Sequence, residues 1–221
     1  MNAQLTFEFP LDKDSTLERY EGDVGQRALA LAPAAVWFSG ASGSGKTHLL
    51  QALCHRCEQQ GGRSLYLSPA ADHSPAILKD LRAFDVLAID GLDGILGNRP
   101  WELALYDLIN HLSADGITWL LIASQQPLPE INFTLSDVAS RCRAMQWLQT
   151  GQLQEHEKRR VLCRFADEVS LPLPTEVLDF LLQRSPREIG SLIKTLNVLA
   201  DESLRLQRRL TIPFLKQVLN L

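Results

Sequence analysis

Gly40-Ala41-Ser42-Gly43-Ser44-Gly45-Lys46-Thr47 fits the pattern G-x-x-x-x-G-K-[ST] without a gap, and the fold is read outward from this run. Ahead of it, Val36-Trp37-Phe38-Ser39 reads as a short buried strand. Behind it, His48-Leu49-Leu50-Gln51-Ala52-Leu53 opens a helix with an apolar face. Strand, loop and helix in that order make a phosphate site. Glycines let successive backbone N–H groups turn inward as an anion nest, and the helix N-terminus adds its partial positive charge. Lys46 is placed to reach the β- and γ-phosphates, and the Thr47 hydroxyl to sit on Mg²⁺. A glycine-rich loop with a chance lysine is the bland alternative. The complete spacing and both flanks speak against it.

The bulk properties bound the class. The chain has 221 residues and a mass of 24.7 kDa, enough for one large or two modest cores. Hydrophobic content of 45% and charged content of 22% describe an ordinary soluble globular protein. A net charge of -4 and a pI near 5.7 lack the basic footprint of a duplex-binding domain. No apolar run approaches a membrane span, and Met1-Asn2-Ala3-Gln4-Leu5 lacks the cationic start of a signal peptide. The expected compartment is cytoplasmic.

Cys54-His55-Arg56-Cys57 has C-x-x-C spacing, but it falls inside the helix after the phosphate loop and no second ligand pair follows it. Cys142 and Cys163 stand alone. All four read as free thiols packed in or near a core.

From Val36 to about Leu148, apolar runs alternate with helical patterns. Strands are expected at 64–67, at 86–89 ending before Asp90, at 119–123 and at 144–148. Leu105, Leu108, Ile109 and Leu112 repeat at the spacing of an amphipathic helix. Continuous apolar strands separated by helices predict an α/β domain with a parallel sheet covered on both faces. After Gly151 only helical periodicity remains, broken at 171–174, at Ser185-Pro186 and at 211–213. Pro174 and Pro213 stand where helices would start. The expected division is a tail over 1–20, an α/β core over 21–150 and an all-helical domain over 151–221.

A phosphate loop needs an acidic partner for Mg²⁺ at the end of a neighbouring strand, and Asp90 is the natural candidate. Hydrolysis also needs a base or water-positioning group, yet the next residue is Gly91, which has no side chain to offer. Ser124-Gln125, at the end of the next strand, offers polar groups no better explained by function than by loop polarity. Arg141, after the short helical stretch 135–140, and Arg187, at a helix start, are better placed. Arginine suits charge on a transferring phosphoryl group, although a surface role is the default for this residue type.

These stretches resemble AAA+ ATPases, and within them the DnaA branch. Residues 40–50, the strand ending at Asp90, Ala139-Ser140-Arg141 and Arg187-Glu188 occur in the family order over nearly the whole chain. The resemblance is to the Hda family, DnaA-like proteins that inactivate the replication initiator. Leu210-Thr211-Ile212-Pro213-Phe214-Leu215-Lys216 and Trp101-Glu102-Leu103-Ala104 add to it. It implies an AAA+ P-loop core followed by a helical lid. It implies a nucleotide, ADP more than ATP, with Mg²⁺, bound by Gly40, Gly43, Ser44, Gly45, Lys46, Thr47, His48, Asp90 and the lid residue Arg187. Thr47 and Asp90 are the residues linked to the metal. Arg141 becomes an arginine finger acting on a neighbouring subunit. Ala3-Gln4-Leu5-Thr6-Phe7 is similar to the motif by which such proteins bind the replication sliding clamp (the polymerase β subunit), with Gln4, Leu5 and Phe7 as anchors.

The chain departs from the family at Gly91, where active AAA+ ATPases carry a second acid, and at Gln125, where the DnaA branch tends to have aspartate. It stops at Leu221, without the DNA-binding helix-turn-helix domain of DnaA, so no sequence-specific DNA contact is expected; with no apolar run of spanning length, no membrane is expected either. The implied function is negative regulation of replication initiation, with DnaA and the clamp as partners and hydrolysis of DnaA-bound ATP stimulated in trans. A homo-oligomer joined through Arg141 is an alternative assembly. Rival readings are a DnaA-like protein recruiting another replication partner and a small-molecule P-loop kinase, for which the helical bundle looks wrong.

Overall fold

In a computed structural model, the structure describes residues 11–79, 81, 83–184 and 188–219. The chain divides into two compact units, one up to Gly151 and one from Gln152. The first is built on five strands, β1 Val36–Ser39, β2 Ser64–Leu67, β3 Val86–Ile89, β4 Trp119–Ser124 and β5 Gln146–Gln149. They form one sheet in the order β2-β3-β4-β1-β5, and every neighbouring pair is parallel. Helices α1 Val24–Leu31, α2 Lys46–Gln59, α3 Arg99–Asp115 and α4 Ser136–Arg143 connect or flank them.

Strand residues alternate between two cores, as a side-chain period of two requires. Trp37, Leu87, Ile89, Leu120 and Ile122 face one side, where Trp101, Leu105, Leu108, Ile109 and Leu112 of α3 and Val138 and Cys142 of α4 cover them. Val36, Phe38, Ala88, Leu121 and Ala123 face the other, covered by Val24 and Ala28 of α1 and by Leu49, Leu50, Leu53 and Cys54 of α2. Burying both faces is why these strands read as continuous apolar runs. Each buried leucine stabilises the unit by about 1.5–3 kcal/mol.

Three boundaries differ from the sequence expectation, one of them the end of β5, which runs one residue further, to Gln149. β4 runs one residue further, to Ser124. β5 starts at Gln146, because Ala144 and Met145 are still occupied in closing α4, their N–H groups donating to Ser140, Arg141 and Cys142. The cysteines also differ in part. Cys54 and Cys142 are buried, and burial pushes each thiol up to about 12. Cys163, however, lies exposed on a helix surface.

Residues 11–20 have no regular structure but lie on α2. Leu11, Leu17 and Tyr20 pack against its core, the Asp12 N–H donates to Gln51 (3.0 Å), and a His55 ring nitrogen meets the Asp12 carbonyl at 2.9 Å.

Among the described residues the second unit holds four helices, α5 Glu155–Glu168, α6 Thr175–Arg184, α7 Ile189–Leu206 and α8 Ile212–Leu219. Leu162, Val177, Leu181, Leu192, Leu196, Leu199, Phe214 and Leu215 make its own core. Glu157 starts α5 by accepting the Gln154 N–H at 2.7 Å, which satisfies one otherwise unpaired donor. Among the described residues, no helix is long and apolar enough to cross a membrane.

Candidate functional site

A parallel sheet gathers the carboxyl ends of its strands along one edge, and ligands of such sheets bind in the crevice outside that edge. Here the loop 40–45 follows β1, Asp90 follows β3 and Gln125 follows β4, and the register keeps Ser39 level with Ser124. The loop runs into α2 through Gly45, which takes a left-handed conformation just before the helix.

Lys46 is buried, and its ammonium donates to the carbonyls of Gly40 (2.6 Å) and Ala41 (2.9 Å). Burial lowers its pKa from the ordinary lysine value, while Asp90 and Asp93 hold it up. The cation therefore stands inside the loop, where phosphate oxygens could replace carbonyl oxygens as its acceptors. The exposed Thr47 donates to Asp90 Oδ2 at 2.5 Å. A hydroxyl and a carboxylate in contact are hard oxygen donors of the kind Mg²⁺ takes, so the pair fits a metal carried by a nucleotide. Tyr66 on β2 donates to the same oxygen (2.8 Å), and burial followed by the Asp90 charge pushes its own pKa up. It stays a donor and fixes the carboxylate from behind.

The loop is tied to the far strand. The Ser44 and Thr150 hydroxyls meet at 2.7 Å, both buried, and the Thr150 N–H donates to the Ser39 carbonyl (2.8 Å). A methyl group on Gly40 would sit 2.2 Å from Thr150 Oγ1 and 2.5 Å from its carbonyl oxygen, so glycine is required there.

His48 holds the chain rather than the loop. One ring nitrogen lies 2.8 Å from the Thr16 carbonyl, and the ring tilts against Tyr20 at 5.9 Å. The Ser124 hydroxyl accepts from Trp37 Nε1 and donates to the Gln126 carbonyl, so it is spent on structure. The Gln125 side chain is exposed, and its N–H donates to Asp93 Oδ2 (2.7 Å), whose other oxygen takes the Gln126 N–H (3.2 Å). Asp93 thus braces the loop after β4. Gly91 takes φ +67°, a conformation an acidic side chain adopts only with strain.

Arg141 lies apart from this crevice in the chain's own hydrogen bonding. Helix α4 buries Val138, Ala139 and Cys142 and leaves Arg141 and Arg143 exposed. Among the described residues Arg141 makes no ion pair. Arg187 and the three residues expected to anchor the clamp, Gln4, Leu5 and Phe7, lie outside the described residues.

A model of the Hda lid domain matches residues 155–219. An uncharacterized protein of Haemophilus influenzae is 33% identical over the full length of both chains. Domain III of the Thermotoga maritima replication initiation protein DnaA superposes with a TM-score of 0.82 at 18% identity, covering 96% of this chain and 98% of that one. The chain belongs to the Hda-like, DnaA-related AAA+ proteins. Its likeness extends to Aquifex aeolicus DnaA bound to AMPPCP, with a TM-score of 0.71 and 23% identity over 90% of this chain and 69% of that one. For this Hda-like protein the parallel α/β core followed by a helical lid is thereby shown. Tyr66 and Thr150 support the site and carry no signal in the sequence, which also leaves the direction of Asp93 open. Glu102 does carry a local signal, a charge on the buried stripe of α3, three residues before Leu105.

Proposed function

We propose that this chain is a nucleotide-bound regulator of replication initiation that stimulates hydrolysis of ATP on DnaA by presenting Arg141 to it. The observation that carries the reading is the asymmetry between the two places where charge can act. The crevice has an ammonium, a hydroxyl and a carboxylate, but Gly91 and an exposed Gln125 with a tethered backbone amide stand where the family resemblance expects acids. The exposed arginine sits on a helix whose other face is locked into the core.

In this mechanism Lys46 neutralises phosphate oxygens, and Thr47 with Asp90 holds the metal edge of a bound nucleotide, ADP in the active form. Tyr66 keeps Asp90 aimed. Thr47 and Asp90 would hold a nucleotide-borne Mg²⁺, which would supply charge neutralisation at the phosphates. Arg141 enters the nucleotide site of DnaA and stabilises the charge that develops on the transferring phosphoryl group, as only a planar, permanently charged donor fork can. Gln4, Leu5 and Phe7 hold the protein on the sliding clamp, two apolar side chains in a pocket and one amide giving direction.

The direct test is phosphate release from ATP-bound DnaA with clamp loaded on DNA. Adding this protein should raise the single-turnover rate by orders of magnitude, and no change would remove the reading. The tether is separable. Replacing Gln4 and Leu5 together by alanine should abolish capture by immobilised clamp, with nucleotide affinity unchanged. Capture at wild-type level would leave Gln4 and Leu5 without that role, and the protein would then serve DnaA by another route.

A further inference from the structure

The geometry points to Glu102 as the positioning residue that sets where Arg141 is presented; the inference rests on the proposed role of Arg141. Glu102 is 1% exposed, on the side of α3 that also buries Trp101 and Leu105. Among the described residues no cation pairs with it. Among the described residues its charge is met by backbone amides alone. Oε1 accepts the N–H groups of Gly97 (3.0 Å) and Thr134 (2.9 Å), and Oε2 accepts that of Leu135 at 2.7 Å.

Leu135 is the residue immediately before α4, and its carbonyl accepts the first helical bond, from Ala139. The carboxylate therefore grips the chain at the point where the arginine helix begins. That helix has only eight residues, too few to hold a direction by its own hydrogen bonds. Its direction comes from the apolar face Val138, Ala139 and Cys142, from its junction with β5, where the Gln146 N–H donates to the Ala35 carbonyl, and from the anchored start. The apolar face is non-directional and leaves rotation and sliding open. Three charge-assisted hydrogen bonds from one planar carboxylate do not. The third, to Gly97, ties the same carboxylate to the loop after β3, so it cannot turn to follow a drifting α4.

A buried carboxylate is costly to desolvate, and the three amides it satisfies offset that cost rather than add a large surplus, so what it contributes is mainly geometry. It is a good device for direction. A displacement of about 1 Å at a catalytic group can cost about 10²-fold in rate, and Arg141 lies six residues from the anchor.

The test compares Glu102→Ala, Glu102→Gln and Arg141→Ala in the full chain, titrated against ATP-bound DnaA on clamp-loaded DNA. Glu102→Ala should lower the maximal stimulated rate about 10- to 100-fold, while the concentration for half-maximal effect, nucleotide affinity and clamp capture stay as in the unmodified protein. Glu102→Gln keeps an oxygen for Gly97 and Thr134 but turns an NH₂ toward the Leu135 N–H, so its rate should fall between the two. Amide exchange should quicken at Thr134 and Leu135 and stay unchanged at Leu196 in the second unit. Full stimulation by either Glu102 variant with slowed exchange retained at Thr134 and Leu135 overturns the proposal. So does a loss in both variants that travels with nucleotide affinity or with exchange throughout the chain, since that is unfolding and not misdirection. Stimulation retained by Arg141→Ala would instead sink the arginine reading itself, which distinguishes the two failures.

Discussion

Arg141→Ala should lose about 10³–10⁵-fold in stimulated hydrolysis of DnaA-bound ATP, nearly the whole effect of the protein, because one inserted arginine accounts for a factor of that size. Everything else should stay. The side chain is exposed, and its helix neighbours Val138, Ala139 and Cys142 keep the core contact of α4. An exposed substitution of this kind moves stability by no more than about 0.5 kcal/mol. Nucleotide affinity and clamp capture should therefore match the unmodified protein. Arg141→Lys should recover little, since an ammonium is a point charge without the fork that meets two phosphoryl oxygens at once. Single-turnover phosphate release measures all three proteins. Equal rates for Arg141→Ala and the unmodified chain would assign the effect to another surface.

Lys46→Ala should weaken nucleotide binding by about 30- to 4,000-fold, the equivalent of the 2–5 kcal/mol lost when one partner of a buried, hydrogen-bonded charge pair is removed. The ammonium is already inside the loop on the Gly40 and Ala41 carbonyls, so it reaches phosphate oxygens with little reorganisation. Asp90 and Asp93 both favour its charged form, against burial. Calorimetric titration with ADP and Mg²⁺ gives the affinity directly. Binding within threefold of the unmodified protein would show that the loop is not the phosphate site. The same variant separates two roles of nucleotide. If bound ADP shapes the protein for its partner, Lys46→Ala loses stimulation although Arg141 is intact.

The features that were legible before any coordinates share a short range. Strand–loop–helix order at 36–53, apolar runs at 86–89 and 119–123, and the stripe at 105–112 are each decided within a dozen residues, by period and by turn chemistry. The 144–148 strand was placed early because its apolar letters say nothing about which N–H groups the end of α4 still needs. Asp93 shows the limit more sharply. Its letter stands two residues beyond Gly91, yet its oxygens hold the amides of Gln125 and Gln126, a pairing created by the adjacency of β3 and β4. Residues 11–20, expected to belong to a tail, include Leu11, Leu17 and Tyr20, whose apolar surface is used against α2.

A phosphate-binding loop, the acid that accompanies it and an arginine at a helix end are local patterns, and residue order alone was enough to name them and the family they imply. Their support was not. Ser44 meets Thr150 across 106 positions, Tyr66 meets Asp90 across 24, and Glu102 meets Leu135 across 33. Such contacts depend on the strand order β2-β3-β4-β1-β5, which no window of sequence contains. The tertiary fold turns a list of candidate residues into one crevice that holds charge and leaves Arg141 exposed on α4, because buried hydrogen bonds are satisfied only when distant segments arrive together.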